Sequence, residues 1–306
     1  MLVVFQNTII YNPFLPPDAR RLEIADYAGQ CRGVTWNHEM IKSLDGTPIA
    51  LCVSDEAPET SVRTPATVVY VLYFQGNASS LPPRLPEISS ILRRVRDADK
   101  SASYSIIGVS YRGYWKSHDR PSEKGINLDI EAALRWVGQL HRNRHPGAQR
   151  DPVVLLWGQS VGCGFASNLA ANTTDESNLT IHGMILETPF TNTRAMLQAL
   201  YPQKWLPYQY LWPFLRNQLD TWKNLKTVAE KSKGRPMPVY IVEAGSDELV
   251  PQNHGQLLVG RCKEVGLPVQ WYTVRRALHN DVSIRLAGKQ AIAEYLQSAV
   301  AAAQTE

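Results

Sequence analysis

From about residue 67 onward the chain alternates short apolar runs with amphipathic stretches. The runs cover residues 68–74, 104–109, 153–157, 181–186, 239–242 and 269–274. They hold too few polar residues to alternate with period two, which is the pattern of strands covered on both faces. Between them lie stretches of helical period at 85–95 and 128–140. In the second, Ile130, Ala133, Leu134, Val137 and Leu140 recur at helical spacing. Strand–helix alternation predicts an α/β fold with a mostly parallel central sheet, helices on both faces and right-handed crossovers.

Two segments depart from this rhythm. Residues 34–41 and 47–54 are rich in β-formers and meet at Asp45-Gly46, a hairpin turn signature. They predict an antiparallel edge at the start of the sheet. Residues 189–237 show no strand pattern. Tyr201, Trp205, Tyr208, Tyr210, Trp212, Phe214 and Trp222 are interleaved there with prolines. This reads as a helical cap inserted in one domain of 1–306, lying over the C-terminal edge of the sheet. If the segment is helical, Trp205, Tyr208 and Trp212 share one face. That face either packs the cap onto the sheet, the commoner use of aromatic stripes, or lines part of a substrate pocket.

Composition narrows the field. The 306 residues are 44% hydrophobic and 20% charged, ordinary for a globular protein. The formal net charge is +4, and the basic clusters at 93–96 and 142–150 fall in or just after amphipathic stretches. Solvated helix faces account for them, so no nucleic-acid partner is expected. Cys31, Cys52, Cys163 and Cys262 are scattered without a C-x-x-C pair. They are expected to be free, mostly buried thiols in a reducing, cytoplasmic setting, with no metal site. The apolar start Met1-Leu2-Val3-Val4-Phe5 stops at Gln6, too short for a membrane span or a signal peptide. No transmembrane segment is expected.

The chemistry concentrates in Gly158-Gln159-Ser160-Val161-Gly162, between an apolar run and a stretch, 163–171, that suits a helix. In a strand–turn–helix context G-x-S-x-G lifts a serine hydroxyl above the sheet at a helix N-terminus, where negative charge is favoured. Such a serine needs a base. Of seven histidines, His279 follows the last apolar run in a short loop, at the sheet edge expected for Ser160. The other six read as ordinary residues. An acid must hold the imidazole. Asp247, on a Gly-containing loop after 239–242, is preferred; Glu248 is expected to face solvent or cap the next helix, and Asp220 and Asp281 are weaker rivals. The oxyanion donors are expected to be the N–H groups of Val161 and Asn77. Gly76 would let the backbone approach a ligand, and Gln75 would shape the loop.

Several pieces resemble the α/β-hydrolase superfamily, in the branch of abhydrolase-domain proteins with an H-G-N oxyanion motif, which includes membrane-attached hydrolases and protein depalmitoylases. The likeness covers nearly the whole chain. It rests on Phe5-Gln6-Asn7-Thr8-Ile9-Ile10-Tyr11, Leu15-Pro16-Pro17, Tyr73-Phe74-Gln75-Gly76-Asn77-Ala78, Tyr111-Arg112-Gly113-Tyr114 with Pro121-Ser122-Glu123-Lys124-Gly125, and the Ser160, Asp247 and His279 positions. It implies hydrolysis of an acyl ester or thioester of a small-molecule or acylated substrate, without a cofactor. Peripheral membrane contact is compatible with it. Four departures stand out: Gln75 replaces the family histidine, Trp115 replaces a small residue and is expected to narrow the site, Cys163 replaces a glycine, and the branch's N-terminal anchor is not expected here. Two other readings of the fold stay open, a biosynthetic acyltransferase or cyclase and a non-catalytic binding protein.

Overall fold

The computed structural model describes residues 2–56, 67–173, 179–200, 203, 212–232 and 234–304. Its centre is an eight-stranded sheet in the order β1-β2-β4-β3-β5-β6-β7-β8. The strands are β1 (Trp36–Lys42), β2 (Pro48–Ser54), β3 (Thr67–Phe74), β4 (Ala102–Val109), β5 (Val153–Gln159), β6 (Ile181–Glu187), β7 (Val239–Ala244) and β8 (Val269–Val274). Strands β1 and β2 form the antiparallel hairpin, β2 pairs antiparallel with β4, and all later pairs are parallel. Each predicted run is a strand. Each parallel strand therefore ends at the same sheet edge, and the loops that follow share that edge.

The helices are α1 (Leu2–Tyr11), α2 (Ala28–Cys31), α3 (Leu85–Ala98), α4 (Glu123–Arg144), α5 (Val161–Asn172), α6 (Thr193–Leu200), α7 (Thr221–Lys231), α8 (Asn253–Glu264) and α9 (Leu286–Gln304). Side chains of a strand alternate between faces, and this decides which helix covers which side. On β3, Val69, Val71 and Tyr73 pack with Ile88, Ile91 and Val95 of α3 and Ile292 and Leu296 of α9. Tyr70, Leu72 and Phe74 pack on the other face with Ile130, Leu134 and Val137 of α4, Phe165 and Leu169 of α5, and Leu225 of α7. A fully buried aliphatic or aromatic side chain of this kind stabilises the fold by about 1.5–3 kcal/mol. The expectation of strands covered on both faces fails for β8. Gln270, Trp271 and Tyr272 are exposed because β8 is the last strand of the sheet.

Between β6 and β7 the described residues hold α6, a 3-10 turn at Trp212–Phe214, and α7, with no strand among them. The return of this segment is tied to α1 and α4 by buried polar groups. Tyr11 donates its hydroxyl proton to Asn217 (2.9 Å), and the Asn217 amide donates to Gln6 (3.1 Å). Glu123, at the start of α4, accepts the backbone N–H of Leu219 (3.2 Å) and the side-chain amide of Asn168 (2.9 Å).

The paired motifs Tyr111–Tyr114 and Pro121–Gly125 acquire a physical reason here. Arg112 is buried and grips the fully buried Asp129 of α4 at 2.7 Å, while reaching Asp45 of the β1–β2 turn at 2.9 Å. A Cβ on Gly125 would lie 2.6 Å from the Arg112 side chain, so the helix start must be glycine to admit the guanidinium. Ser122 caps that helix by accepting the Gly125 N–H at 3.1 Å.

Removing Asp129 takes from the buried Arg112 guanidinium its shortest and only fully buried partner among the described residues, leaving it the more exposed Asp45 and Asp119. Asp129→Ala is expected to lower unfolding free energy by about 3–5 kcal/mol, measured by urea denaturation. Asp119→Ala, which removes only a 3.4 Å contact from an exposed carboxylate to the same arginine, should cost less than about 1 kcal/mol.

Candidate active site

Ser160 joins β5 to α5 with φ 53° and ψ −114°, a backbone conformation that non-glycine residues rarely adopt. The flanking glycines make the turn possible. A Cβ on Gly158 would sit 2.6 Å from the Cys163 backbone, and one on Gly162 would sit 2.7 Å from the Phe74 carbonyl carbon. Any side chain at either position would push α5 off the ends of β3 and β5. The Ser160 N–H is held by the Glu187 carbonyl at 2.8 Å, which pins the turn to the end of β6. Cys163, the departure from the family glycine, gives its thiol proton to the carbonyls of Gly158 and Glu187, each at 3.2 Å.

His279 and Asp247 meet across the loops that follow β8 and β7. His279 Nδ1 lies 2.8 Å from Asp247 Oδ2, and both side chains are buried. Asp247 Oδ1 also accepts the N–H groups of Leu249 (2.9 Å) and Val250 (2.8 Å). Burial pushes the Asp247 carboxyl up, but the hydrogen bond and charge of His279 and the two loop N–H groups outweigh it, so its pKa falls below the ordinary value of 3.8. A carboxylate can only accept, so Nδ1 carries a proton and donates it to Asp247. The rival acids are engaged otherwise. Asp220 caps α7 through the Lys223 N–H (3.0 Å), and Asp281 pairs with Arg285 (3.2 Å).

The loop after β3 lies over Ser160: a Cβ on Gly76 would lie 3.5 Å from Ser160 Cβ. Ala78 gives its N–H to Tyr11 and Ser79 gives its N–H to Leu15, so neither is free for a ligand. None of the loop and turn hydrogen bonds among the described residues uses the N–H of Asn77 or Val161. Tyr111 and Tyr114 brace the loop, Tyr111 by donating to the Gln75 carbonyl (2.8 Å) and Tyr114 by donating to the Tyr11 carbonyl. Gln75 itself is fully buried, and its side-chain amide has no hydrogen-bond partner among the described residues.

One expectation is corrected. Trp115 does not narrow the site. It is 1% exposed, donates its indole N–H to the Leu22 carbonyl at 2.7 Å, and packs edge-on against His38 of β1 at 5.0 Å. In the sheet order β1 stands four places from β5, so this tryptophan serves packing at the far edge. Glu248 is exposed, as expected, and its Oε2 in addition accepts the backbone N–H of His279 at 2.9 Å. Of the aromatic stripe, Trp205 and Tyr208 lie outside the described residues. Trp212 lies in the 3-10 turn, 40% exposed, with the Arg194 guanidinium 3.9 Å over its ring.

Sequence reasoning missed a buried polar chain beneath the turn. Glu187, fully buried at the end of β6, accepts the Trp157 indole N–H at 2.9 Å and is hydrogen-bonded by Ser283, four residues past His279. Burial raises its carboxyl pKa, partly offset by those bonds and by the Arg84 charge. Gln159 links Glu187 (3.4 Å) to Tyr73 (3.2 Å) and Arg84. A single acid closing the apolar run 181–186 was the available signal. Among the described residues no cluster of three or more His, Cys, Asp or Glu is arranged to hold a metal, and no helix is long and apolar enough to cross a membrane.

Comparison with known proteins bears on the fold. Protein bem46 of Schizosaccharomyces pombe is 28% identical over 246 residues, 80% of this chain and 71% of that protein. The Arabidopsis thaliana alpha/beta hydrolase domain-containing protein WAV2 is 26% identical over 269 residues, 85% of this chain and 77% of that one. The chain belongs to the α/β-hydrolase superfamily, in its abhydrolase-domain branch. Among solved structures, the Pyrococcus furiosus esterase Pf2001 superposes with a TM-score of 0.61 at 15% identity, covering 90% of this chain and 93% of that one. An esterase of Rhizomucor miehei gives a TM-score of 0.63 at 14% identity over 95% of this chain and 92% of that one. These likenesses show the fold. No family model matches the sequence.

The depressed pKa of Asp247 has a pH signature. The native state keeps this carboxylate ionised to lower pH than the unfolded chain does. The resulting stabilisation is fully present above the ordinary value of 3.8 and is lost as pH falls through the native value. The stability gap between wild type and Asp247→Asn is therefore expected to be largest near neutrality and to shrink below 3.8, as read from urea midpoints across an acid pH series.

Proposed function

We propose that this chain is a serine hydrolase that cleaves an acyl ester or thioester through an acyl-enzyme on Ser160. The observation that carries the reading is the buried Asp247–His279 pair, at 2.8 Å, standing at the sheet edge where Ser160 is held in a strained turn. In this reading His279 Nε2 takes the hydroxyl proton as Ser160 attacks the acyl carbon. Asp247 keeps the ring in the required tautomer and stabilises the imidazolium that forms. The N–H groups of Asn77 and Val161 take the negative charge that develops on the carbonyl oxygen. His279 returns the proton to the departing alcohol or thiol. Water then repeats the sequence on the acyl-enzyme and frees the acid.

The names of the relatives support hydrolase chemistry, since WAV2 is called an alpha/beta hydrolase domain-containing protein and the structural neighbours are esterases. Residues 189–237, rich in aromatics, serve in this proposal as a cap that supplies an apolar acyl pocket, with Gln75 and Gly76 forming its floor near Ser160. A pocket of that kind binds mainly through buried apolar surface, with few polar groups.

A fluorophosphonate probe is expected to label the wild-type protein and not Ser160→Ala; labelling that survives the substitution would remove Ser160 from the role. His279→Ala and Asp247→Asn should each lower kcat on an activated acyl ester by about 10⁴-fold, with far from additive losses in the double variant. Gly76→Ala adds a methyl group in ordinary contact with Ser160 Cβ, 3.5 Å away, so it should fold normally. Its kcat/KM should fall as acyl chains lengthen past acetyl, because the methyl takes space beside the reacting carbon; an unchanged chain-length profile would place the substrate elsewhere.

A further inference from the structure

The pairing of β7 with β8 runs to Ala244 opposite Val274. It does not end there. Gly245 donates its N–H to the Val274 carbonyl (2.9 Å), and Ser246 donates to the Ala277 carbonyl (2.9 Å). At Asp247 the backbone ladder stops and two consecutive carboxylates continue it. Asp247 takes the ring Nδ1–H of His279 at 2.8 Å, and Glu248 takes the backbone N–H of the same residue at 2.9 Å. Just upstream, the Leu278 N–H is accepted by Asp281 at 3.3 Å.

We propose that Glu248 is a positioning residue for His279, fixing the main chain of the histidine while Asp247 fixes its ring. The inference rests on the serine-hydrolase reading above. A ring held through Nδ1 can pivot about that bond whenever the main chain that carries it shifts, and the neighbouring bonds at Ala277 and Leu278 do not hold the N–H of His279 itself. A small displacement of Cα then carries Nε2 away from the serine hydroxyl, and misplacements of about 1 Å cost roughly a hundredfold in rate. Holding the same residue at its backbone removes that pivot. The geometry of Asp247 itself is independent of Glu248, since Asp247 is oriented by the N–H groups of Leu249 and Val250. Glu248 is an exposed residue. Its truncation opens no cavity in the core, and so its effect on catalysis is separable from an effect on folding.

The test uses the full chain and two probes, a fluorophosphonate for the serine and p-nitrophenyl butyrate for turnover. Glu248→Ala is expected to slow labelling and to lower kcat roughly ten- to a hundredfold, as the loss of a hydrogen bond to a charged group does. KM should stay within about twofold, since the residue acts on the base and not on substrate binding. Glu248→Gln keeps an acceptor oxygen and should recover labelling to within about threefold of wild type. In an Asp247→Asn background the same alanine change should cost much less, because the histidine is already loose. Should Glu248→Ala melt early, the same rates taken well below its melting temperature decide the matter. Wild-type labelling rates in Glu248→Ala, with Ser160→Ala unlabelled, would overturn the positioning role and leave the serine-hydrolase reading standing. Equal losses in the alanine and glutamine variants would also overturn it, since the shared bond would not be the cause. Labelling of Ser160→Ala, or none of wild type, would bring down the serine-hydrolase reading and the inference together.

Discussion

The tight turn at Ser160 is the constraint on which the rest of the candidate site depends. A non-glycine residue with φ 53° persists only where its surroundings over-determine it. Here the surroundings are three chain segments brought closer than side chains would allow. Gly158 lets α5 sit on the end of β5, Gly162 lets α5 touch the end of β3, and the Glu187 carbonyl holds the Ser160 N–H from the end of β6. The serine is thereby placed above the meeting point of three strands, and the loop at Gly76 lies beside it. Every other group at this edge is placed relative to that turn.

What keeps the edge rigid is polar, which is unusual for a region so well buried. Tyr73, Arg84, Gln159, Trp157, Glu187 and Ser283 form one hydrogen-bonded chain from the flank of the β3 loop to the segment after His279. A buried carboxylate such as Glu187 is costly unless its oxygens are satisfied. Satisfied, it links the turn carrying Ser160 to the loop carrying His279. Tyr111 and Tyr114 act in the same way on the other side, holding the carbonyls of Gln75 and Tyr11. Gln75 is the exception, a buried amide without a partner among the described residues.

Arg112 extends this logic to the whole fold. Its guanidinium ties the β1–β2 turn to α4 through Asp45 and Asp129. The start of the same helix holds, through Glu123, the chain that returns from the segment between β6 and β7. A single motif region thus connects the antiparallel edge, the crossover helix and the insertion. The branch-specific residues of the sequence are, in this light, largely structural couplings around the site.

The sequence by itself determined the order and type of the main elements and nominated Ser160, Asp247 and His279. Those signals are local: apolar runs, helical period, the Asp45-Gly46 turn, and G-x-S-x-G between a strand and a helix all lie within a few residues of what they specify. Residues that matter through distant partners were invisible or misread. Glu187, just past the run 181–186, drew no notice, the bond from Glu248 to the His279 backbone left no local sign, and Trp115 looked like a wall of the site. The strand order decided each. It put β6 beside the Ser160 turn, carried the β7 loop alongside the β8 loop so that Glu248 meets the His279 backbone, and set the Trp115 ring against β1, four places from β5. Hydrogen-bond partners more than thirty residues apart in the chain leave no periodicity to read. Only tertiary structure, by fixing which strands are neighbours, decides which carboxylate meets which N–H.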